Sequence, residues 1–248
     1  MTRSSPLRLL LRVCVMAVLL LAGIPARAAA PAMAEWRVVL VAGDNGEPAF
    51  DNAVDAVARW LVERGVPPRD IHRLSASPLA RNPSIEPASV RRVLQGIVDL
   101  GARPGERCLV FITSHGRRDS GVWLAYRGEF LSPADLAQAL ALGCANVPTV
   151  AIVSSCYSGA FSGGPMRAPN RIILTAARAD RPSFGCGVGR TYTVFDQCLL
   201  ATLPRERTWR ATYRRNSACV RRNEKRLGDP PSLPQAFFGA AVRNLAVR

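Results

Sequence analysis

Arg107-Cys108-Leu109-Val110-Phe111-Ile112-Thr113-Ser114-His115-Gly116 and Thr149-Val150-Ala151-Ile152-Val153-Ser154-Ser155-Cys156-Tyr157-Ser158-Gly159 are two runs of one design. Each is a short, continuous apolar stretch rich in branched side chains that stops at a polar residue and a glycine. Such runs are too short for helices and too uniformly apolar for strands with one wet face, so both read as strands buried on two sides. Between them Ser132-Pro133-Ala134-Asp135 opens a helix, with serine as N-cap, proline at the first position and a carboxylate on the first turn. Strand, helix, strand in that order predicts a parallel pair. The pattern repeats outward. Trp36 to Gly43 is another buried strand, followed by a helix that Asp51 caps and whose Val54, Val57, Ala58 and Leu61 share a face. Ile71 to Leu74 is a short strand, Ser75 to Pro87 a Pro/Ser/Asn-rich loop, Ala88 to Leu100 helix-periodic, and Arg171 to Ala177 a further strand. The fold class is therefore α/β: one domain over 35–248, with a mostly parallel central sheet and helices on both faces.

The first 34 residues do not belong to that domain. Arg3, Arg8 and Arg12 precede an unbroken apolar run from Val13 to Ile24, and Ala26-Arg27-Ala28 and Ala32-Met33-Ala34 both fit an A-x-A cleavage pattern. This is the layout of a secretory signal peptide cut after Ala28 or Ala34, with an apolar run too short for a comfortable membrane span. The expected location is periplasmic or extracellular.

The chain has 248 residues, 48% hydrophobic and 21% charged, which excludes wholesale disorder and the collagen and coiled-coil classes. Its 33 basic residues against 18 acidic include a single lysine, Lys225. So uniform an arginine excess reads as coding bias, and no nucleic-acid partner is expected from the charge alone.

In parallel α/β sheets ligands sit beyond the carboxyl ends of the strands. His115 ends one strand and Cys156 ends the next, and neighbouring strands lie about 4.8 Å apart. An imidazole beside a thiol favours the nucleophilic thiolate. Gly116 lets the backbone turn sharply, so that its N–H and that of Cys156 can point at a developing oxyanion. The other histidine, His72, lies on an early strand and reads as structural. No C-x-x-C or H-x-x-x-H spacing occurs, so neither zinc nor any other cofactor is expected.

At these residues the sequence resembles the legumain family of asparaginyl endopeptidases. The resemblance is carried by Val38 to Gly46, by Ile112-Thr113-Ser114-His115-Gly116, by Ser155-Cys156-Tyr157-Ser158-Gly159, by Leu174 to Ala177 with Pro182-Ser183-Phe184-Gly185-Cys186, and by Ser232 to Gln235 leading into Phe237-Phe238-Gly239. These pieces follow the family's order across nearly the whole of the predicted domain. The resemblance implies the α/β sandwich that legumain shares with caspases and gingipains, with His115 as catalytic histidine and Cys156 as nucleophile. It also marks departures. Where legumain holds a specificity arginine this chain has Phe50 or Asp51, and where legumain has an acidic residue after the nucleophile it has Tyr157. Ser183 and Asp196 fall in the segment that lines the family's primary specificity pocket. With Asp51, Asp196 would make that pocket acidic and select a basic residue before the scissile bond. Asp119 and Glu129 are candidates to orient His115 by proximity alone.

Six cysteines follow the signal segment. Cys108 with Cys144 and Cys198 with Cys219 are possible bridges, which leaves Cys186 as an odd thiol near the pocket. From Arg205 to Arg226 there are nine basic and two acidic residues, with Trp209 and Tyr213 four apart. A solvated amphipathic helix packing its aromatics on the sheet is the expected reading, and weak docking to an anionic surface the second. The whole predicts an exported, monomeric cysteine endopeptidase acting on protein or peptide. A transamidase on the same dyad and a non-catalytic envelope binding protein on the same fold are the alternatives.

Overall fold

The computed structural model describes residue 33 and residues 35–247 except 78–81, 83 and 188. The expected signal segment lies outside the described residues apart from Met33.

Seven strands form one sheet in the order β10-β9-β8-β4-β1-β2-β3. They are β1 (Trp36–Ala42), β2 (Ile71–Ser75), β3 (Glu86–Pro87), β4 (Arg107–Thr113), β8 (Thr149–Ser154), β9 (Arg171–Thr175) and β10 (Gln235–Phe238). All pair in parallel except β10, which runs antiparallel to β9. A separate three-stranded sheet, β5 (Gly116–Arg117), β6 (Gly121–Leu124) and β7 (Glu129–Leu131), leaves the end of β4 as an antiparallel meander. Neither the meander nor the reversal at β10 is foreshadowed by a sequence pattern. Their strands are two to four residues long, too short for a periodicity to register.

Five helices cover the sheet: α1 (Pro48–Glu63), α2 (Val90–Val98), α3 (Pro133–Gly143), α4 (Val194–Thr202) and α5 (Trp209–Leu227). Burial on both faces explains the uniform strands. On β1, Val38, Leu40 and Ala42 face one core with α1, α4 and α5, while Val39 and Val41 face the other with α2 and α3. Ser132 accepts from the Asp135 N–H with Pro133 at the start of α3, as its sequence predicts. α1 differs. It begins at Pro48, and Asp51 is a buried residue of its first turn instead of its cap. Proline supplies a preset φ with no amide to satisfy, so the helix starts earlier than a capping carboxylate would place it.

Two disulfides form, Cys108–Cys144 from the start of β4 to the end of α3, and Cys198–Cys219 between α4 and α5. Cys156 and Cys186 are free. His72 is structural, its Nε2 2.6 Å from Glu86 Oε1. That contact holds the Glu86 carboxyl below its ordinary range.

Candidate active site

The register of β4 and β8 sets the site. Thr113 and Ser154 are the last paired residues, and the Ser114 N–H continues the ladder to the Ser154 carbonyl at 3.1 Å. His115 and Cys156 each lie two residues beyond that pair, on adjacent strands at the same edge. The two segments then touch. A Cβ placed on Gly116 would stand 2.2 Å from the Cys156 carbonyl oxygen and 2.9 Å from Ser155 Oγ. Only glycine lets the chain leaving the histidine lie this close to the chain leaving the cysteine.

Two amides at this contact are unspent. The Trp123 N–H donates to the His115 carbonyl at 3.0 Å, and Gly116 is the partner of Val122. Bonded and non-bonded pairs alternate along an antiparallel ladder, so the Gly116 N–H is turned away from β6. The Cys156 amide makes no hydrogen bond to the protein among the described residues.

The cysteine turn is wedged under the segment that follows β9. Cys156 Sγ accepts the Ser183 N–H at 3.3 Å, with the Ser183 carbonyl at 3.5 Å and its hydroxyl at 3.8 Å. Tyr157 adopts a left-handed conformation, φ 59°, and gives its N–H to the Arg181 carbonyl at 2.8 Å. A tyrosine held there costs on the order of 1 kcal/mol, a strain found where surrounding structure over-determines a functional turn. Arg118 closes the rim, donating to the Asp180 carbonyl at 2.9 Å with its guanidinium 5.4 Å from the Tyr157 ring centre.

Residues 94–205 match the family model described as the Peptidase C13 family. That match, over somewhat less than half of the chain, supports a legumain-like cysteine peptidase. The match runs from α2 through α4 and takes in both the His115 and the Cys156 segments. No curated protein matches the chain in sequence.

The His115 ring, half-buried, stands edge-on to Phe50 of α1 with ring centres 5.2 Å apart. No carboxylate bonds the ring among the described residues. Glu129 is engaged elsewhere, accepting the Val90 N–H at the start of α2 at 2.9 Å, and Asp119 is a left-handed turn residue in the meander. Neither sequence candidate orients the histidine. Phe50 is the neighbour instead. Its place on the inward stripe of α1, four residues before Val54, was the available signal.

Both carboxylates of the expected acidic pocket are enclosed. Asp51 is 6% exposed and accepts from the Ser75 hydroxyl at 2.9 Å. Asp196 is fully buried below the sheet edge, accepting from Thr113 Oγ1 at 2.7 Å, while Thr193 Oγ1 caps α4 by accepting the Asp196 N–H at 3.1 Å. Burial pushes the Asp196 carboxyl up to about 6, against the hydroxyls of Thr113, Ser154 and Thr193, which favour its charged form. The structure thus brings Asp196 beneath the very pair, Thr113 and Ser154, that precedes His115 and Cys156. It offers neither carboxylate as an open pocket wall. Ser183 contacts the sulfur, and Tyr157 directs its ring to Arg118. Cys186, three residues beyond Ser183, is half-buried, and burial first, then the Cys156 charge, raises its thiol pKa. No group of three or more potential metal ligands occurs among the described residues.

Proposed function

We propose that the chain is an exported cysteine endopeptidase in which Cys156 is the nucleophile and His115 its proton-transfer partner. One observation carries this reading: the β4–β8 register puts both residues two positions past a paired couple, with Gly116 packed on the Cys156 carbonyl. The Cys156 thiolate attacks the scissile carbonyl. The unspent amides of Gly116 and Cys156 receive the oxyanion, and His115 protonates the departing amine. Water then attacks the thioester, with His115 taking its proton, and the sulfur is released.

Tyr157 and Ser183 would border the substrate backbone. Asp51 and Asp196 act on substrate only if the pocket opens toward them, so a basic preference rests on a rearrangement. The decisive experiment sets wild type beside Cys156→Ala and His115→Ala on a diverse quenched-peptide library, with alkylation mass spectrometry on the free thiols. Cleavage lost in both variants, with Cys156 the faster-alkylated thiol, is the expected result. Cleavage that survives Cys156→Ala would sink the assignment.

Export rests on the basic flank, the apolar run and the small-residue exit of residues 1–34, and the two disulfides fit an oxidising compartment. Met33 bears on the cut. It is fully buried in the core beside Trp36, whose N–H bonds the Met33 carbonyl at 3.1 Å. Cleavage after Ala34 would remove a core side chain, so we assign the cut to Ala28. Amino-terminal sequencing of the exported protein should begin at Ala29. A start at Glu35 would overturn that choice.

A further inference from the structure

The face of α5 that points to solvent is not used by the peptidase site. Its basic residues form two rows, Arg214, Arg221 and Lys225 in one, Arg215, Arg222 and Arg226 in the other, and all six are exposed. At 100° per residue they occupy an arc of roughly 140° along roughly 18 Å of helix. Between the rows lie Ala211 and Ala218, which help line a shallow groove with Arg214, Arg215, Arg221 and Arg222. Small side chains there let a ligand approach between two lines of guanidinium groups.

Little on the protein neutralises this face. Arg215 pairs with Glu206, and Arg226 donates to Asn223 Oδ1 at 2.6 Å. Arg214, Arg221, Arg222 and Lys225 have no ion pair among the described residues. Arg221 with Lys225 and Arg222 with Arg226 are like-charge pairs four apart, which weaken a helix. The helix is held regardless. Thr208 caps its start by accepting the Ala211 N–H, Gly228 ends it in a left-handed turn, and Cys198–Cys219 bolts it to α4.

The chemistry of the partner follows from what the face lacks. Trp209 is buried edge-on to Trp36, and the Tyr213 ring lies against Phe238 with its hydroxyl donating to the Pro234 carbonyl at 2.9 Å. Neither aromatic can stack on a base, which single-stranded nucleic-acid sites require. The apolar side of α5 is spent on the core apart from Leu227 at its last position, 39% exposed, and one aliphatic side chain is too little to anchor the helix in a bilayer. What remains asks only for dense negative charge. We propose that α5 is an electrostatic docking face for a membrane surface rich in anionic phospholipid headgroups. For an exported chain that surface is the nearest phosphate-bearing one. The proposal does not depend on the catalytic assignment.

The test is co-sedimentation of the purified protein with vesicles of phosphatidylcholine alone or mixed with phosphatidylglycerol, at about 0.1 M and about 0.5 M salt. Binding is expected only to the mixed vesicles and only at the lower salt. In Arg214→Gln/Arg221→Gln/Arg222→Gln, removing three surface charges should weaken partitioning roughly a hundredfold, at about fivefold per charge. Arg59→Gln/Arg69→Gln/Arg91→Gln removes the same charge from exposed positions on other elements and should bind like wild type. Circular dichroism of both triple variants checks that each is folded. Equal losses in the two variants would reduce the effect to net charge and overturn the proposal. So would absence of binding to the mixed vesicles, or tighter binding of a single-stranded oligonucleotide than of those vesicles.

Discussion

β4 and β8 with their neighbouring loops carry cysteines at both ends, and the ends are treated oppositely. At the amino end Cys108, fully buried, is closed in a disulfide to Cys144, itself 1% exposed. At the carboxyl end Cys156 is free and half-buried, its sulfur in contact with Ser183. Under the proposed function, the same pair of strands serves stability at one edge and chemistry at the other. What separates the two is not the residue but whether the chain around it is sealed or left with unspent amides.

That contrast can be broken from either end. The largest effect belongs to Cys156→Ala, which should lower peptide cleavage by roughly a thousandfold or more while leaving the thermal midpoint close to wild type. A large fall in midpoint would make this cysteine structural. Gly116→Ala comes next. Its Cβ has no room against the Cys156 carbonyl, so the two segments must part, and a displacement near 1 Å should cost about a hundredfold in kcat/KM. Wild-type activity in that variant would show that the close approach is dispensable.

At the sealed end the signs reverse. Cys108→Ser with Cys144→Ser opens a bridge between residues 36 apart and should cost about 2–4 kcal/mol of stability in denaturant titration. Activity per folded molecule should hold. The smallest effect sharpens the comparison through Asp196. Its carboxyl pKa is raised in the folded state, so the fold binds the extra proton and gains stability at low pH. That gain is full below the unfolded value near 3.8 and is lost as pH rises through about 6. Between pH 4 and pH 7 the group removes up to about 3 kcal/mol. Asp196→Asn should therefore gain on wild type as pH rises across that window. A stability difference independent of pH would show that the carboxyl does not titrate there.

The sheet was legible because its strands are long, buried on both sides and punctuated by His115-Gly116 and Cys156-Tyr157. Register follows from them almost without choice, which is why the two reactive residues could be placed at one edge. Pocket residues were less legible. Asp51 and Asp196 sit in the right segments, but exposure depends on which way α1 and α4 turn, and a carboxylate reads the same in sequence whether it faces substrate or a buried threonine. The partner of His115 was missed for a related reason. Phe50 is an apolar ring, which in sequence marks a helix stripe and not a neighbour of His115.

The Cys198–Cys219 bridge has a mechanical consequence. It joins α4, whose Asp196 underlies the reactive edge, to α5, whose arginines face outward. A molecule resting on those arginines would hold its cleft at a set angle to the support beneath it. Diffusion would then be confined to a plane, and only chains presented at one height above that plane would be within reach.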